Sequence, residues 1–186
     1  MFFPVFVDLS EKEILVIGAG VIAQRRIRTL CGFAGHITVI APVVADGIEK
    51  LADGYPVSVI RRGFRMEDLT ERNADLVLAA TDDTQLNGNI AAHCRRCGIP
   101  VNVCSDQSLC DFQFPSVVVE QDMVIGINAS GKDHSLVKRV RQEIEYALGS
   151  CSRYAAEDCD TEKADTIMKT GNCLEQVERV PDRHDN

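Results

Sequence analysis

No apolar run in these 186 residues approaches the roughly 20 needed to cross a bilayer, which excludes a helical membrane span. Basic side chains are in short supply: 20 Lys and Arg stand against 28 Asp and Glu, a net charge of −8. That balance excludes broad binding to nucleic acid or to an anionic membrane, since both need a basic surface to displace counterions. Any anionic ligand must therefore meet a basic site built locally. The opening residues, MFFPVFVDLSEKE, lack a basic leader and a small-residue cleavage site, so no export signal is expected and the protein is read as cytoplasmic. A disulfide framework is missing too. The 8 cysteines are scattered without a secretory context and read as reduced thiols. Their one close pair, Cys94 and Cys97, has no second pair at zinc-finger spacing, so no metal site is assigned. Internal repeats are absent as well.

What is present is a composition of 45% apolar and 26% charged residues, that of a soluble globular chain long enough to bury a substantial core. Short apolar runs alternate with helical patterns over the first hundred residues. Strands are predicted at Glu13 to Ile17, His36 to Ile40, Val57 to Ile60, Ala74 to Ala80 and Ile99 to Cys104. Between them, helices are predicted at Val21 to Cys31, Val44 to Leu51 and Gln85 to Cys97, with a helical turn at Met66 to Glu71. This alternation, with buried-type strands rather than in-out patterning, points to a parallel sheet covered on both faces by helices.

After Cys104 the rhythm changes. Phe112 to Val119 and Met123 to Asn128 form a predicted hairpin around Glu120-Gln121-Asp122, and Ser135 to Leu148 reads as an amphipathic helix with Leu136, Val140, Ile144 and Leu148 on one face. The chain thus divides into residues 1–111, 112–148 and an acidic tail, 149–186. That tail carries nine acidic against five basic residues with sparse apolar positions, and is expected to be disordered or weakly helical.

Chemistry should collect at the carboxyl ends of the strands. Gly18-Ala19-Gly20-Val21-Ile22-Ala23 matches G-x-G-x-x-G/A with a strand before it and a helix after it. In such a loop the first glycine permits the turn and the second lets backbone N–H groups approach a pyrophosphate, while the helix N-terminus favours negative charge. Dinucleotide binding through Gly18, Gly20, Val21 and Ile22 follows. The second strand ends at Ala41-Pro42, which would line the same crevice, with no Asp or Glu to accept from a ribose hydroxyl, so spacing alone leaves NAD and NADP open. Thr81 and Asp82 close the fourth strand, where a nicotinamide half would rest. Either is also suited to cap the helix that follows.

GAGVIAQRR, AATDD, LNGNIAAHC, VNV, CDFQFPSVV and the GK-x-x-SLVKRVRQEIE stretch occur in one order across residues 2–148. In that order and spacing the chain resembles the precorrin-2 dehydrogenase/sirohydrochlorin ferrochelatase family, the module that also forms the N-terminal part of siroheme synthases. The resemblance implies a Rossmann-type, doubly wound α/β domain that binds NAD, followed by a small β-rich and helical module for homodimerisation. It implies oxidation of precorrin-2 to sirohydrochlorin on the way to siroheme or cobalamin, and some members of the family also insert ferrous iron. The family's central aspartate follows the N-V-x stretch directly. Here Ser105 holds that position and Asp106 comes next, as a candidate proton acceptor or as a turn residue. The macrocycle's carboxylates call for basic partners, with Lys132 and His134 in the Ser130-Gly131 loop as candidates. The family's Ser-Pro pair is replaced there by Asp133-His134. Two other readings stand beside the dehydrogenase: a non-catalytic NAD(H)- or tetrapyrrole-binding protein on the same scaffold, and a different small NAD-dependent enzyme.

Overall fold

The computed structural model describes residues 2–149, and the acidic tail with Cys151, Cys159 and Cys173 lies outside the described residues. The first 103 residues supply β1 (Glu13–Ile17), α1 (Val21–Leu30), β2 (His36–Ile40), α2 (Asp46–Ala52), β3 (Val57–Ile60), α3 (Glu67–Glu71), β4 (Leu76–Ala79), α4 (Thr84–Cys97) and β5 (Val101–Val103). The five strands form one sheet in the order β3-β2-β1-β4-β5, with every pairing parallel. β1 is central: Ile14 lies beside Ile37 on one flank and Leu76 on the other.

Alternation along β1 explains why two helical layers are needed. Ile14 and Val16 pack with Ala23, Ile27 and Leu30 of α1 and with Ile48 of α2. Leu15 and Ile17 face the other way, onto Ile90, Ala91 and Cys94 of α4 and Leu69 of α3. All four β1 residues are at most 1% exposed, so the strand's apolar side chains drive the assembly from both faces. Cys94 belongs to this core, and burial pushes its thiol up to about 12. That of Cys31 is raised to about 11 for the same reason. Among the described residues no helix is long and apolar enough to cross a membrane.

The expected strands at 13–17, 36–40 and 57–60 are found without a shift. β4 and β5 are shorter than expected, and α2 begins at Asp46 rather than Val44, because Ala45 is held by an N–H bond to the Ala19 carbonyl (3.1 Å). Helix α4 ends on Gly98 in the left-handed region (φ 70°), and its N-cap is Asp83, whose carboxylate accepts from the Leu86 N–H at 2.9 Å. The capping role expected of Thr81 or Asp82 therefore falls to the next residue, since Thr81 is engaged elsewhere.

Beyond β5 a 3₁₀ turn (Gln107–Leu109) leads to the antiparallel hairpin β6 (Ser116–Glu120) and β7 (Met123–Ile127), then α5 (His134–Ala147). The hairpin starts later than Phe112 because Pro115 has no N–H to donate. Phe112 and Phe114 turn back instead onto the α1 side of the core. Helix α5 packs on β6, and none of its side chains is fully buried.

Candidate functional site

The carboxyl ends of β1, β2, β4 and β5 open on the same edge of the parallel sheet. Gly18 leaves β1 with φ +99°, a conformation that disfavours a side chain, and its N–H donates to the Ile40 carbonyl at 2.9 Å. A Cβ there would sit on the Ala80 carbonyl oxygen and within 2.8 Å of the Thr81 nitrogen. The glycine is what lets the loop after β1 touch the end of β4.

Gly20 differs in kind. Its backbone is ordinary (φ −82°, ψ −172°), and a Cβ there would meet nothing within 4 Å. It caps α1 without a side chain, and the first turn holds no acidic residue. The leading N–H groups of α1 therefore have no side-chain acceptor, beside a space that a Cβ would enter. That is the cradle a pyrophosphate requires, and these residues fit a dinucleotide. Val21 and Ile22, 81% and 52% exposed, flank it with apolar surface. At the end of β2, Ala41 is buried in the core and offers the crevice only its backbone, while Pro42 is exposed.

Thr81 and Ser105, at the ends of β4 and β5, are joined by a residue that the motif reading passed over. Asn87 of α4 is fully buried and bonds to Thr81 N (3.2 Å), Thr81 Oγ1 (2.7 Å), Thr81 O (3.0 Å) and Ser105 Oγ (3.1 Å). Its signal in the sequence is a polar residue on the helix stripe formed by Ile90, Ala91 and Cys94. Asp82 stands exposed beside this network.

Asp106 begins the 3₁₀ turn. Its Oδ1 accepts from the Ser108 N–H (2.9 Å) and hydroxyl (2.7 Å), and these bonds, the hydroxyl's foremost, hold its carboxyl below the usual carboxylate range. Gln107 then reaches the basic loop: its Nε2 donates to the Ser130 carbonyl at 3.1 Å, and its side chain lies where a Cβ on Gly131 (φ +71°) would go. Nothing in the sequence singled out Gln107. In that loop Lys132 is exposed, Asp133 caps α5 by accepting from Leu136 N–H at 2.8 Å, and His134 is exposed in the helix's first position. The structure thus brings the glycine loop, Thr81, Ser105 and the 106–108 turn to one edge, with the 130–134 loop tied on through Gln107.

A family model described as "Putative NAD(P)-binding" matches residues 5–116. A siroheme synthase of Pseudoalteromonas atlantica is 38% identical over 147 residues, 79% of this chain and 31% of that protein. Another siroheme synthase, from a Psychrobacter species, is 31% identical over 173 residues, 91% of this chain and 35% of the relative. The chain thus spans about a third of the length of these curated relatives. Among solved structures, SirC, a precorrin-2 dehydrogenase, superposes with a TM-score of 0.65 at 27% identity, covering 78% of this chain and 71% of that one.

Proposed function

Because the chain belongs to the precorrin-2 dehydrogenase/sirohydrochlorin ferrochelatase family, the module shared with siroheme synthases, we propose that it oxidises precorrin-2 to sirohydrochlorin with NAD. The observation that carries this reading is the α1 N-terminus, free of any side-chain cap and with open space at Gly20, set on the same sheet edge as Thr81 and Ser105.

In this reading bound NAD supplies the hydride acceptor. The α1 N-terminus holds the pyrophosphate through the N–H groups of Val21 and Ile22, and Ala41 and Pro42 line the crevice beside it. Thr81 and Asp82 flank the nicotinamide side. As a hydride leaves one carbon of the macrocycle, a proton must leave as well, and Asp106 is the carboxylate we assign to accept it. The Ser108 hydrogen bonds that hold its carboxyl below the usual range favour the carboxylate, so an accepted proton passes on to water. Lys132 and His134 meet substrate carboxylates from the α5 side. We assign residues 1–111 to the cofactor domain and 112–148 to homodimerisation, in a cytoplasmic protein.

Anaerobic incubation with precorrin-2 and NAD tests the reaction. NADH and sirohydrochlorin are expected in equal amounts. The second reading, a binding protein without turnover, is favoured by one observation: the family's aspartate is a serine here, already bonded to Asn87. Tight NAD binding with no sirohydrochlorin formed would establish it.

A further inference from the structure

Every hydrogen-bonding capacity of the Asn87 carboxamide is used. Oδ1 accepts from the Thr81 N–H and hydroxyl, and Nδ2 donates to the Thr81 carbonyl and to Ser105 Oγ. Two lone pairs and two N–H bonds are all that the group possesses, and each faces a partner within the fold, the Thr81 hydroxyl lying nearer to Oδ1 (2.7 Å) than to its other acceptor, the Asp83 carbonyl (3.1 Å). The backbone also fixes which end is which. The Thr81 N–H can only donate and its carbonyl can only accept, so exchanging Oδ1 and Nδ2 would break both bonds.

That orientation settles the role of Ser105. Its Oγ must act as the acceptor toward Nδ2, which leaves the hydroxyl proton directed away from α4. No acceptor among the described residues takes that proton. Ser105 is exposed at the carboxyl end of β5, on the edge where the glycine loop opens. We propose that Asn87 is a positioning residue that presents the Ser105 hydroxyl to the crevice as a hydrogen-bond donor, and that the donor's partner is a carboxylate of the tetrapyrrole. The assignment rests on the dehydrogenase reading for the identity of the ligand, and it gives this chain a neutral donor where the family carries a charged acceptor.

Binding measurements test it without relying on turnover. With the full chain, sirohydrochlorin affinity is read by fluorescence quenching and NAD affinity by calorimetry. Ser105→Ala should weaken sirohydrochlorin about tenfold or more, the usual consequence of losing a bond to a charged group, with NAD affinity unchanged. Ser105→Thr keeps the hydroxyl and should retain the wild-type value. In Asn87→Asp the introduced carboxylate accepts from Ser105 and turns its proton inward, so sirohydrochlorin should weaken by a similar factor. The double variant Asn87→Asp/Ser105→Ala should then be no worse than Ser105→Ala alone. If Asn87→Asp does not fold, the Ser105→Ala and Ser105→Thr pair still decides. Unchanged sirohydrochlorin affinity in Ser105→Ala, or equal losses in Ala and Thr, would overturn the proposal. Wild-type protein that binds both ligands without turnover would sink only the dehydrogenase reading, whereas wild-type protein with no affinity for sirohydrochlorin would sink both.

Discussion

At the scale of single residues, the two glycines of the first loop should separate folding from binding. Gly18→Ala places a methyl group on the Ala80 carbonyl at a positive φ, so the protein should lose at least about 1 kcal/mol of stability, seen as a lower thermal midpoint. The Cβ of Gly20→Val meets no neighbour within 4 Å on an ordinary backbone, so the variant should still fold, yet its side chain fills the cradle and calorimetry should detect no NAD binding. Asp106 makes a third case. Asp106→Asn keeps the Ser108 contacts possible but removes the base, and dehydrogenation should fall by roughly 10² or more with NAD affinity unchanged. Full turnover in that variant would move proton removal to water or to another group such as His134. Because the Ser108 hydroxyl is the main cause of the depressed Asp106 pKa, Ser108→Ala should raise it toward the ordinary carboxylate value in a carbon NMR titration.

At the scale of elements, the short helix α3 is fastened by one buried carboxylate that pairs with two arginines. Asp68, 1% exposed, accepts from Arg62 at 2.5 and 2.7 Å and from the Arg65 N–H at 2.9 Å, and the Arg62 bonds lower its pKa to about 2. Since the folded value lies below the unfolded one, the stabilisation is fully present above about pH 4 and is lost as pH falls toward 2. It is on the order of 2 kcal/mol. Asp68→Asn should flatten the pH dependence of urea unfolding across that window. The strands of the sheet were legible in the sequence because burial on both faces leaves runs of adjacent apolar residues without in-out alternation, as in Ile14 to Ile17 of β1. Element ends were less so, since they depend on contacts far along the chain: Ala45 on Ala19, or Phe112 and Phe114 on the core. In the site, the glycine loop was legible through its spacing. Asn87 was hidden because a polar residue on a buried helix face declares a partner without naming it, and Gln107 because its partner lies across a loop with no pattern of its own.

At the scale of the whole molecule, the β6–β7 hairpin and α5 hold half-buried apolar residues, among them Val117, Ile125, Val137 and Ile144, and α5 has no fully buried side chain. A second copy of the chain is expected to cover them, and light scattering at micromolar concentration should give twice the monomer mass. A monomeric mass would reassign that face. The central place of β1 also bears on how the protein is made. During synthesis β1 can pair at once with β2, the next strand to emerge, but its other flank must wait until Leu76–Ala79 of β4 has been added. Over that interval the nascent chain carries an open apolar strand edge, Ile14 to Ile17, the kind of edge on which strands of other chains assemble. Closing it requires a long loop, a slow step in parallel sheets. Aggregation of ribosome-bound fragments should therefore peak in chains ending shortly before β4 and fall sharply once β4 is complete.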